Sequence, residues 1–227
     1  MSSFVAGARL GWSRIKGRTT GFFVLCGVVC TALVALIERN SEPYYASDRT
    51  LIGGAFGLIL PLAGYLLVER ATLGRRLDQS LDELARHGAD RRGLGLGLAA
   101  TTAAALAAFS LLIAVLAVGL SRGTKDPLLG RDLLSTLWIA VLAGTVYAAW
   151  FSLASLFGKR GHRGVAWLGD FLLGSGASAM AAPFPRGHVR NLLGGQPVLD
   201  LAQLTSAVVL VTLTLLYLSI AAARTPP

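Results

Sequence analysis

Residues 94–120 read LGLGLAATTAAALAAFSLLIAVLAVGL, 27 consecutive positions with no ionisable side chain. As a helix rising 1.5 Å per residue this run reaches about 40 Å, more than the roughly 30 Å of hydrocarbon in a bilayer. Its apolar character is continuous. A membrane β-strand would alternate apolar and polar residues every second position, so a barrel is disfavoured.

Working outward, five further runs of the same kind appear. They cover about 21–37, 51–68, 133–157, 165–182 and 199–223. The chain is 54% hydrophobic and 15% charged over 227 residues, too little polar surface to coat a soluble globule. The expected fold is an all-α polytopic bundle of about six transmembrane helices, forming one domain over residues 1–227. Pro61 lies inside the second run and predicts a kink there. The fifth run should stop at Pro183-Phe184-Pro185, leaving 183–198 as a re-entrant or short-helix segment.

Lys and Arg divide unevenly between the loops. Of 21, fourteen fall in the N-terminal segment, the two even loops and the tail, and seven in the odd loops. Basic residues are retained on the cytoplasmic side, so both termini are expected there and 183–198 outside. The formal charge of +9 then reads as a topology signal with attraction to anionic lipid. No basic cluster is interleaved with stacking aromatics, and nucleic acid is not an expected partner. The bias toward Arg over Lys and toward Ala, Leu and Gly suggests a GC-rich bacterial genome, and the expected place is the bacterial cytoplasmic (inner) membrane.

Residues 1–18 form a basic lead-in without a small-residue cleavage site, so they are expected to stay in the mature protein. Phe4, Ala8, Trp12 and Ile15 share one helical face, which predicts an amphipathic helix lying in the membrane interface; the alternative is a plain basic flank. In 69–92, Leu73, Leu77, Leu81 and Leu84 form a stripe at helical spacing. Asp82 and Arg86 sit four apart and Gly88 is placed to end the helix. This predicts a cytoplasmic helix, either a solvated extension of the second span or a docking surface of Leu73, Leu77, Leu81, Leu84 and Arg86.

Catalytic constellations are missing from the sequence. Cys26 and Cys30 lie four apart without a His or third Cys, and His87, His162 and His188 fall in separate loops, so no metal or cofactor is expected. Gly93, Gly95 and Gly97 precede no Gly-Lys-Ser/Thr. With Gly53, Gly54, Gly57, Gly64, Gly174 and Gly176 they read as close-approach points between helices, Gly53 and Gly57 at small-xxx-small spacing. Asp170 is an acid within a span, a candidate coupling residue by default. Its closeness to Arg163 predicts instead a position at the interface facing water, peripheral to transport chemistry.

The basic lead-in Phe4 to Arg18, six apolar runs, the charged loop ending in Leu84-Ala-Arg-His-Gly-Ala-Asp-Arg-Arg92 and the stretch Pro183-Phe-Pro-Arg-Gly-His-Val-Arg-Asn-Leu-Leu-Gly194 resemble, as a layout covering nearly the whole chain, the membrane subunits of ABC transporters of the type-2 permease class. The resemblance implies a translocation path built as a homodimer or heterodimer of six-span subunits. It also implies a separate cytoplasmic ATP-binding-cassette ATPase and no enzyme chemistry in this chain. The competing reading is a non-transporting membrane scaffold, with a secondary transporter and a membrane-embedded enzyme behind it.

Overall fold

The computed structural model describes residues 2–41, 45–122, 129–158 and 161–225, and among these it is helical without a strand. Five helical stretches have the length and apolarity to cross a membrane: α2 (Arg18–Ser41), the composite Ala46–Ala71, α7 (Arg91–Ser121), α8 (Leu129–Ala154) and α11 (Gln203–Arg224). The expected fifth span is not a continuous helix. Residues 163–192 instead form α9 (Arg163–Leu172), a turn, one 3₁₀ turn at Ala179–Ala181 and α10 (Pro185–Leu192).

The N-terminal helix α1 (Ser3–Ile15) is capped by the Ser2 hydroxyl and packs along the first turns of α7. Small residues set that distance. A Cβ added to Gly7 would lie 2.1 Å from the Leu94 carbonyl oxygen, and one on Gly97 would lie 2.0 Å from that of Phe4. The Thr101 hydroxyl donates to the Ala8 carbonyl at 3.1 Å across the same seam. The predicted apolar face of α1 divides: Phe4 and Trp12 are exposed, whereas Ile15 is buried in the core where the last turn meets α4 (Leu60–Ala71).

The composite stretch comprises α3 (Ala46–Arg49), a π-helical segment Thr50–Ile59 and α4. Pro61, where a kink is expected, stands in the first turn of α4 directly after the π-helical segment. Proline has no N–H and its ring crowds the carbonyl four residues back, so widening the upstream turns to five-residue bonding accommodates both. Gly54 approaches Val34 and Gly64 approaches Leu106 and Phe151, but a Cβ on Gly53 would meet open space. Gly53 therefore makes no close approach to another helix among the described residues of this chain.

Residues 69–92 do not form one helix either. After α4 the chain turns at Leu73, whose φ of 54° is left-handed, and continues as α5 (Leu77–Ser80) and α6 (Asp82–Ala85). Leu77 and Leu81 are 2% and 0% exposed, sealed in the core of the same chain; Leu84 is partly buried against it, and Leu73 and Arg86 are exposed. Leu77 and Leu81 are buried because the segment folds back. The Leu77 amide donates to the Ser155 carbonyl at the end of α8 (3.2 Å), and Arg14 clamps the segment by donating to the carbonyls of Ala71 and Ser80, each at 2.9 Å. Burial there draws the Arg14 guanidinium below its ordinary pKa. On the other side Arg163, 2% exposed, pairs with Glu69 and donates to the Arg75 carbonyl at 3.0 Å. The starts of α2, α7 and α9 and the ends of α4, α8 and α11 therefore gather at one basic end of the bundle, where Arg224 also lies 4.8 Å over the Phe157 ring.

Gly97→Leu should force α1 off α7 and destabilise the protein by about 1–3 kcal/mol, the usual cost of overpacking. Gly119→Leu, at a site open to its surroundings, should leave the melting temperature of the detergent-solubilised protein nearly unchanged.

A candidate polar site at the interrupted helix

Helix α9 ends where Gly174-Ser175-Gly176 removes bulky side chains and Ser175 donates back to the Phe171 carbonyl. Pro185 then pre-sets the first turn of α10. Such a break exposes backbone groups that continuous helix would have paired, and side chains close them. Arg190 donates to the carbonyls of Ser175, Gly176 (3.0 Å) and Gln196 (3.1 Å). His188 Nε2 lies 2.9 Å from the Ala182 carbonyl, Tyr217 donates to that of Pro183, and the Asn191 amide donates at 2.8 Å to both Leu201 O and Ser206 Oγ. Trp150 and Phe184 pack edge to face over the same region, at 5.6 Å between centroids.

Asp170 sits at the centre. The structure corrects its predicted place at a wet interface: it is 0% exposed. Its Oδ1 accepts from the Arg186 backbone amide at 3.0 Å, its Oδ2 accepts from the Tyr147 hydroxyl at 3.2 Å, and Arg186 Nε lies 3.4 Å from Oδ2. The reason is the early end of α9. Asp170 falls in the last turn of its own helix, an unfavourable place for an anion, and the N-terminus of α10 arrives beside it with unpaired donors and the opposite dipole.

Arg186 is the incomplete member. Its side chain is 11% exposed and its guanidinium lies 4.7 Å over the Phe171 ring, yet Nε and Nη2 are buried without a hydrogen-bond partner among the described residues. It borders a cavity of about 140 Å³ between α10 and the π-helical segment, where Arg186 and Arg190 face Ile52, Phe56 and Gly57. Two guanidiniums against one carboxylate leave one positive charge in excess beside this space.

Among the residues expected to carry function, only Asp170 lies here. Leu73, Leu77, Leu81, Leu84 and Arg86 are at the basic end, and Phe4, Trp12 and Ile15 are on α1. Cys26 and Cys30 are unpaired, and among the described residues no three His, Cys, Asp or Glu side chains gather as a metal site would require. Arg186 and Arg190, counted in the sequence only as loop charges, and Tyr147, hidden in an apolar run, were missed. The four-residue spacing of the two arginines after Pro185 was the available signal.

Asp170→Leu should strand Arg186 as an uncompensated buried charge and lower stability by about 3–5 kcal/mol; Asp170→Leu/Arg186→Leu should recover part of that loss. Thermal unfolding of the three proteins in one detergent reads the difference. Comparison with protein-family models finds no match to this chain, and comparisons with curated proteins and with solved structures find none either.

Proposed function

We propose that the chain is the transmembrane permease subunit of an ATP-driven exporter of a bacterial cytoplasmic membrane, coupled to a separate cytoplasmic ATPase. The observation that carries the reading is the buried Asp170–Arg186 pair at a helix break among helices of spanning length. Ionisable groups in such places are expensive in a bilayer and concentrate along transport paths, and discontinuous helices line substrate sites.

The same geometry supports six crossings. Helix α9 starts at the basic end, where Arg163 meets Glu69, and α10 finishes near the start of α11, where Asn191 meets Leu201 and Ser206. Together they act as one interrupted span, with α1 in the cytoplasmic interface and both termini inside. The scaffold reading keeps one observation in its favour, since Arg190, Asn191 and Tyr217 are engaged by the protein's own backbone.

An ATPase would engage the exposed part of the 72–90 segment. Because Leu77 and Leu81 are internal, charge there would unfold the segment, so Leu73 and Arg86 are the informative positions. Gentle purification should bring down a stoichiometric cytoplasmic ATPase, and Leu73→Asp/Arg86→Glu should reduce its recovery at least about tenfold at equal abundance. A stoichiometric partner without ATPase activity would overturn transport in favour of the scaffold.

Orientation is checked separately. In variants with a single introduced cysteine, Arg86→Cys should react with an impermeant maleimide only after the membrane is opened, and Asp200→Cys should react in intact cells. The reverse pattern would overturn the topology.

A further inference from the structure

A second cavity, remote from the polar site, lies between α2, α4 and α7. It has a volume of about 380 Å³ and nearly uniform apolar walls, among them Phe23, Gly27, Val34, Leu62 and Phe109. Helix α2 is the loosely packed wall, with only Thr31 and Ala35 buried among its 24 residues. The chemistry changes at one end. Thr20 and Arg70 line the cavity there, and Thr20 Oγ1 and Arg70 Nε are buried without a hydrogen-bond partner among the described residues.

Two unpartnered donors at the mouth of an apolar slot match an amphiphile with an anionic head. The nearest acid in sequence, Glu69, is paired with Arg163, so it does not neutralise Arg70. Exposed Lys16 and Arg18, at the junction of α1 and α2, add positive charge at the same end, and a Cβ on the intervening Gly17 would lie 3.9 Å from Arg70 Nη2. This end holds most of the basic side chains, and such surfaces attract anionic lipid. A guanidinium offers a phosphate several charge-assisted donors.

We propose that this cleft binds one anionic phospholipid of the adjoining leaflet, an acyl chain between α2 and α4 and the phosphate on Arg70 and the Thr20 hydroxyl. The site is independent of the transport reading, because it requires only that the chain lie in a membrane. Its occupant replaces the missing wall between two helices, so binding should also raise thermal stability.

The test is lipid retention by the full-length protein, measured by native mass spectrometry after equilibration with mixed micelles of phosphatidylglycerol or phosphatidylcholine. The wild type should retain one phosphatidylglycerol in at least about tenfold preference to phosphatidylcholine, with a matching rise in melting temperature. Arg70→Gln/Thr20→Val should abolish the preference and Arg70→Lys should restore part of it. Leu62→Trp, which fills the slot without changing charge, should reduce retention of both lipids. Equal retention of the two lipids by wild type would overturn the proposal, as would stabilisation by inorganic phosphate alone to the same extent. Efficient Cys30–Cys30 cross-linking between copies, unaffected by phosphatidylglycerol, would instead assign the cleft to a second copy of the chain, since Cys30 lines it.

Discussion

Hydrocarbon supplies no hydrogen bonds, so a helix interrupted inside a bundle must find substitutes for each backbone pair it gives up. That constraint organises the 163–203 region. Arg190, His188, Tyr217 and Asn191 each address a carbonyl of the break or of the turn that follows it, and Asp170 receives the first-turn amide of α10. These polar side chains are first of all closures of the main chain. Arg186 differs because its guanidinium has more donors than the surroundings accept, and the excess faces a cavity. Unpaired guanidinium donors facing a cavity mark where a ligand could act.

The basic end obeys a related rule. The C-terminus of α4 presents open carbonyls and the negative pole of a helix dipole, and Arg14 and Arg163 come to it from opposite directions in sequence. The result ties α1, α4 and α9 together. Leu77 and Leu81 complete the junction with apolar burial. A load applied to the 72–90 turn would therefore reach α1, α4 and α9 through short, well-paired contacts.

Much of the fold was legible because its signal is one-dimensional: long runs without charge, bounded by arginines, read directly as spans. The bulk of α2, α7, α8 and α11 falls where composition placed it. The break between α9 and α10 was not legible in the same way. A window over 165–182 averages Gly174-Ser175-Gly176 into an apolar run, and only three-dimensional packing reveals that α10 comes back to Asp170. The leucine stripe misled for the opposite reason. Its spacing is helical, but Leu73 occupies a left-handed turn that separates it from Leu77 and Leu81. Periodicity registers a buried face without saying which surface buries it, and here the surface belongs to the same chain.

The π-helical segment has two walls. Ile52, Phe56 and Gly57 border the arginine-lined cavity, while Gly54, Leu58 and Ile59 border the apolar cleft. Both sets hang on one winding, in which each bond skips five residues instead of four. Removing or adding a bonding step would rotate every later side chain about the axis at once. The two spaces thus share a single mechanical register: neither can be reshaped by a change of winding while the other keeps its outline.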